Sequence, residues 1–175
     1  MPNEKAVMKS ILLALSLLAA MPAQGKDLIV YLSRSHNTEA VAKIIQSETS
    51  GDLVAIELQT PYPADYRATV EQVQRENERG YLPPLKTRIS PAQYDRIFIG
   101  FPTWGMRLPP PVKSLLAAHD FGDKTVIPFN TNAGYGIGSS FDELRRLCRN
   151  CRVAEGYATE GGKERDGILF VMQGE

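Results

Sequence analysis

Two cysteines, two histidines and a single tryptophan are all that the 175 residues hold of those types. A zinc centre needs about four ligands, and Cys148, Cys151, His36 and His119 are too widely spaced to supply them. Charge of one sign is also lacking: 20 basic side chains face 20 acidic ones, for a formal net charge of zero. A nucleic-acid binder needs a basic face to displace counterions, so that class is excluded, and a membrane-surface protein is not suggested. Long apolar runs are missing as well. The stretch Ile11–Ala20 is ten residues, against roughly 20 for a bilayer span, which speaks against a stable membrane anchor. There is no internal repeat and no low-complexity tract. What is present, 43% hydrophobic and 23% charged residues, is ordinary for a soluble domain. The length suits one compact unit with a short appendage.

The appendage is the front of the chain. Lys5 and Lys9 precede "ILLALSLLAA", and "MPAQG" follows. A positive start, a short apolar core and small residues at a cut are the build of a secretory signal peptide. Ala23 and Gly25 fit the positions before cleavage, so residues 1–25 are expected to be removed and residues 26–175 to form the exported, periplasmic domain. Removing Glu4, Lys5 and Lys9 leaves 18 basic and 19 acidic side chains. The twin arginine of a route for prefolded cargo is missing ahead of the core, so a non-covalent cofactor would be acquired after translocation.

Beyond Lys26 strand and helix signals alternate. "DLIVYLS", "DLVAIEL", "YDRIFIGFP", "KTVIPFN" and "RVAEGYA" read as five strands. Between them, "TEAVAKIIQSE" carries Val41, Ile44 and Ile45 at helical spacing. "PYPADYRATVEQVQRENERG" opens with turn chemistry, ends on Gly80 and reads as a polar, solvated helix. "LPPPVKSLLAA" places prolines where a helix start loses little by a missing N–H, and "SSFDELRRLC" is a short helix. Strands separated by helix-length crossovers predict a parallel sheet with helices on both faces, a three-layer α/β domain.

In such sheets ligands bind beyond the carboxyl ends of the strands, where the strand order reverses. The first, third and fourth strands all end in unusual loops. The first, "SRSHNT", offers the hydroxyls of Ser33, Ser35 and Thr38, the Asn37 amide and a helix N-terminus, an anion cradle suited to phosphate. A plain helix cap through Ser35 or Asn37 is the alternative. The second, "GFPTWGMRLPPP", sets Trp104 just past a buried strand, either to cover a flat aromatic ligand or to pack under the prolines. The third, "NTNAGYGIGSS", combines Gly134, Gly136 and Gly138 with Tyr135, a second aromatic wall or a flexible turn.

These loops carry a resemblance. "YLSRSHNTEAVA" resembles the phosphate loop of the flavodoxin family, from which the strand-tip rule is itself partly drawn. "YDRIFIGFPTWGMRLPPPVKSLL" and "VIPFNTNAGYGIGSS" are similar to that family's two flavin-flanking loops, and "PYPADY" recurs in one branch. The resemblance covers nearly all of Lys26 to Ala158. It implies a five-stranded sheet of order 2-1-3-4-5 and FMN as cofactor. Ser33, Arg34, Ser35, His36, Asn37 and Thr38 would surround the phosphate, Pro102, Thr103, Trp104 and Gly105 would border the ring, and Thr131, Asn132, Gly134 and Tyr135 would meet its other side. The role implied is electron transfer with redox protein partners or a small aromatic acceptor. A flavin-dependent reductase of quinones or similar aromatics is the alternative.

Three departures stand out, one of them the near-neutral charge where the family's electron carriers are typically acidic. His36 occupies the position of a glycine in the family pattern, which requires a loop tolerant of positive φ; when protonated it would add a charge-assisted contact to phosphate. The family's terminal helix is not evident, because "DGILFVMQGE" resembles one more strand. A further feature, "CRNC" at Cys148–Cys151, closes a helix, where the dipole raises a thiol pKa rather than lowering it. Both a small structural disulfide and a thiol–disulfide redox centre fit an oxidising compartment.

Overall fold

The structure, a computed structural model, describes residues 25–162. The expected signal segment and the strand-like "DGILFVMQGE" therefore lie outside the described residues, apart from Gly25.

The alternating segments fold as β1 (Asp27–Tyr31), α1 (Asn37–Thr49), β2 (Asp52–Ala55), α2 (Tyr66–Arg79), β3 (Arg96–Pro102), α3 (Pro110–Ala118), β4 (Thr125–Asn132), α4 (Ser140–Leu147), β5 (Arg152–Val153) and β6 (Tyr157–Glu160). The sheet is parallel, in the order β2-β1-β3-β4-β5, with β6 also on β4. Alternation along each strand divides the core between two faces. Leu28, Val30, Ile97, Ile99 and Phe101 pack with Val112 and Leu115 of α3 and Leu144 of α4, while Ile29, Phe98 and Phe129 pack with Val41, Ala42 and Ile45 of α1. The central strands β1 and β3 are apolar over most of their length because both of their faces are covered.

Helix ends follow local chemistry. Asp65 caps α2 by accepting the Ala68 N–H at 2.8 Å, and Gly80 ends it at φ 61°, where a missing Cβ removes the strain. Pro110 opens α3 at a position that loses no hydrogen bond. The interior of α2 is less solvated than its composition suggests: Thr69, Val73 and Glu76 are buried.

The expected fifth strand is instead two short ones. Val126 pairs with Val153, whereas Phe129 pairs with Tyr157, so the edge carries one extra residue between the two pairs. Pro128 lies opposite the break. The carbonyls of Val126 and Asn132 accept N–H groups from the edge, which puts Pro128 on the same side, where it has no N–H to give. Gly156 fits over it; an added Cβ would stand 2.6 Å from Pro128 Cγ.

Cys148 and Cys151 form a disulfide between the end of α4 and the start of β5. Arg152 pairs with Thr125, the first residue of β4, so the disulfide sits at the amino ends of the strands. The eight-residue β4 separates it from the opposite end by roughly 23 Å at about 3.3 Å per residue.

Gly100 lies opposite Phe129 in the β3–β4 register, and a Cβ there would collide with the ring. Gly100→Ala is expected to destabilise the fold by about 1–3 kcal/mol through overpacking. Urea unfolding of the two proteins measures it; equal midpoints would contradict the packing role.

Candidate functional site

At the opposite end, the loops after β1, β3 and β4 meet because their strands are adjacent. In the first, His36 stands at φ 64° and ψ −2°, a left-handed conformation directly before α1. Its side chain makes no cap. Ser33 Oγ accepts the Glu39 N–H at 3.4 Å. Ser35, His36 and Asn37 are exposed, and the Asn37 amide lies against Gly161, close enough to exclude a Cβ there. His36 Nδ1 is 2.7 Å from Glu39 Oε2, and Lys43 Nζ is 2.6 Å from the other oxygen of that carboxylate. Contact with His36 first, then Lys43, lowers the Glu39 pKa and keeps the group ionised. Arg34 points the other way, donating to the Ala64 carbonyl at 2.8 Å and lying over the Tyr66 ring at 5.5 Å.

Thr38 is buried, and its hydroxyl is 2.7 Å from that of Thr131, also buried, at the end of β4. This contact ties the first loop to the third. Asn132 organises the third loop: its Oδ1 accepts the N–H groups of Gly134 at 2.9 Å and Gly136 at 3.2 Å, and its amide donates toward Asn130 Oδ1 and the Thr159 carbonyl. Gly134 and Gly136 take φ of 89° and 81° to make that turn. Tyr135 is 80% exposed at its tip.

The second loop folds back as a tight turn. The Arg107 N–H donates to the Trp104 carbonyl at 3.1 Å, and Gly105 and Met106 both take positive φ, 58° and 59°, as a type I′ turn requires. Met106 tolerates this because its carbonyl accepts the Ser139 N–H at 2.9 Å, with Gly138 too close below for a Cβ. Glu143 pins the same turn from α4. Its carboxylate holds Lys113 at 2.7 Å and Arg107 at 3.4 Å. Burial pushes its pKa up, but the bonds from Lys113 and Ser139 outweigh it and the net shift is downward.

Trp104 is half-buried and packs against the core cluster that includes Leu108 and Val112. Tyr62, from "PYPADY", meets it edge-on at 5.5 Å between centroids and 82° between planes. The Tyr62 hydroxyl donates to buried Glu76 at 2.5 Å; burial first, then Glu76, raises its pKa, so it remains a donor. A cleft of about 430 Å³ runs between α2 and the turn, bordered by Arg34, Tyr66, Val73, Thr103, Trp104 and Gly105. Pro102 ends β3 beside Thr131. Sequence reasoning misses Tyr62 and Asn130 as site residues. "PYPADY" is the signal for the first, and an amide directly after the apolar run Val126–Phe129 is the signal for the second.

A family model described as flavodoxin matches residues 26–170. The chain belongs to the flavodoxin family. Among solved structures it is similar to a flavoprotein of Lactobacillus acidophilus in complex with FMN, at 26% identity and a TM-score of 0.69, covering 81% of this chain and 97% of that one. It is likewise similar to a protein of Bacteroides uniformis assigned as a flavoprotein, at 27% identity and a TM-score of 0.75, covering 85% and 99%. No curated protein matches it. Within this flavodoxin the glycine position of the phosphate-loop pattern is filled by His36 in the left-handed conformation a glycine would take.

The buried hydroxyl pair generates a sharp expectation. Thr38→Val or Thr131→Val leaves the partner hydroxyl unpaired and costs about 1–3 kcal/mol. The double variant costs less than the two singles combined. A double-mutant cycle on unfolding free energy checks this, and strict additivity would contradict it.

Proposed function

We propose that this flavodoxin binds FMN and serves as an electron-transfer protein outside the cytoplasm. The observation that carries the reading is that three strand-end loops are bonded to one another while leaving their ligand-type groups outward. Thr38 bonds Thr131, Ser139 bonds Met106, and Thr103 reaches the Gly136 carbonyl at 3.0 Å. Ser35 and Asn37 stay exposed at a helix N-terminus whose first turn has one long side-chain bond, from the Glu39 N–H to Ser33 Oγ, a donor set that suits a phosphate without needing a lysine. Trp104 and the glycine-lined third loop suit a flat ring.

FMN, when bound, accepts and releases one or two electrons. The chain's own residues would do the rest. Ser33, Ser35, Asn37 and the first turn of α1 would hold the phosphate, and Thr103, Trp104 and Gly105 would orient the ring. Tyr62, kept protonated against Glu76, steadies the indole. The disulfide supports the carrier reading over a thiol–disulfide one: Cys148 is 7% exposed and lies at the far end of the sheet from the loops. Export rests on the pattern of residues 1–25. Material recovered from outside the cytoplasm is expected to begin near Lys26 by N-terminal sequencing, and an intact Met1 or Met8 there would sink that part.

Adding FMN to the purified protein is expected to quench the flavin fluorescence. Ser35→Ala should weaken FMN about 10–100-fold, the worth of a hydrogen bond to a charged group, and leave riboflavin affinity unchanged. Unquenched FMN would end the reading.

A further inference from the structure

Asn130 is fully buried in β4, and a buried amide is tolerated only when its groups are paired. Its Nδ2 donates to the Phe101 carbonyl at 3.0 Å. Its Oδ1 is 3.2 Å from the Thr103 hydroxyl and 3.3 Å from the Asn132 amide. One side chain thus touches the last core residue of β3, the residue beside Trp104, and the residue whose side-chain Oδ1 gathers the third loop. None of these bonds goes to Ser33, Ser35 or Asn37. A hydrophobic residue of the same size would fill the volume, so the amide is there for its directions.

We propose that Asn130 is the positioning residue of the ring site. It sets the separation between the Trp104 turn and the Asn132–Gly136 loop, and leaves the phosphate cradle to the Thr38–Thr131 contact. The inference rests on the FMN reading and adds a division of labour within it. Loops displaced from their bonded spacing present altered dipoles to the ring, and those dipoles act differently on its oxidised and reduced forms, so the residue tunes potential as well as affinity.

The test uses the mature protein with FMN and with riboflavin, at a temperature where each variant is folded. Asn130→Leu is expected to weaken both ligands by roughly tenfold or more, with the FMN-to-riboflavin ratio close to that of the wild type. Ser35→Ala, by contrast, changes that ratio. The losses for oxidised and reduced FMN should differ, reading as about 30 mV in the two-electron midpoint for each tenfold difference. A merely structural role lowers melting temperature and leaves the potential of the folded fraction where it was. Thr103→Val combined with Asn130→Leu should lose less affinity than the two singles together. Should Asn130→Leu not fold, Asn130→Ala, uncharged and without either amide group, takes its place in every measurement. Wild-type affinity and potential in a folded variant would overturn the proposal while FMN binding stood. Failure of the wild type itself to bind FMN would remove the underlying reading and this one with it.

Discussion

The register between β1, β3 and β4 is the constraint on which the rest depends. Leu28 opposite Ile97, and Ile97 opposite Val126, bring the three strands to one edge in step. Everything with chemical potential lies just past that edge. A slip of one residue would turn each side chain to the other face, move Phe129 away from the gap left by Gly100, and separate Thr38 from Thr131. The lower edge is clamped too: Arg96 grips buried Asp27 through two bonds, at 2.9 and 2.7 Å. Because the loops are bonded to strand ends rather than only to one another, their spacing inherits the precision of the sheet.

Much of this is legible from residues alone. Parallel strands buried on both faces announce themselves as short apolar runs, and the helix starts at Asp65 and Pro110 follow from elementary capping. The first loop is legible because four hydroxyl or amide residues in six positions are more than a helix cap needs, although one of them, Thr38, is buried against Thr131. The less legible features are those set by partners distant in sequence. Pro128 reads as a minor irregularity in "KTVIPFN"; only the neighbouring edge makes it the cause of a break between β5 and β6. Trp104 can be placed near a ligand but not against Tyr62, because that contact spans 42 residues and depends on Glu76 holding the phenol. The roles of Asn132 and Thr131 also depend on partners: their polar atoms are engaged with loop backbone and with Thr38.

Polar groups in the site region are therefore of two kinds. Thr38, Asn130, Thr131 and Glu143 are buried and bonded, and among the described residues no buried side-chain nitrogen or oxygen is left without a partner. Ser35, Asn37 and the Tyr135 phenol face outward. The first kind fixes geometry, since a half-satisfied network would cost more than an apolar core. The second kind is available to a ligand. That separation lets the loops be rigid before anything binds, which lowers the ordering cost of binding.

His36 shows how the separation is kept where the family pattern has glycine. A residue with a side chain in the left-handed region costs about 1–2 kcal/mol, although replacing glycine also restricts the unfolded chain and recovers part of that. The imidazole is then used on Glu39, whose carboxylate lies in the first turn of α1 beside the anion cradle. An ionised carboxylate there would oppose a phosphate. Its two oxygens are instead taken by His36 and Lys43, while Ser35 and Asn37 remain exposed. The loop thus carries no lysine of its own, and the lysine that balances Glu39 in the first turn of α1 comes from the next turn of that helix.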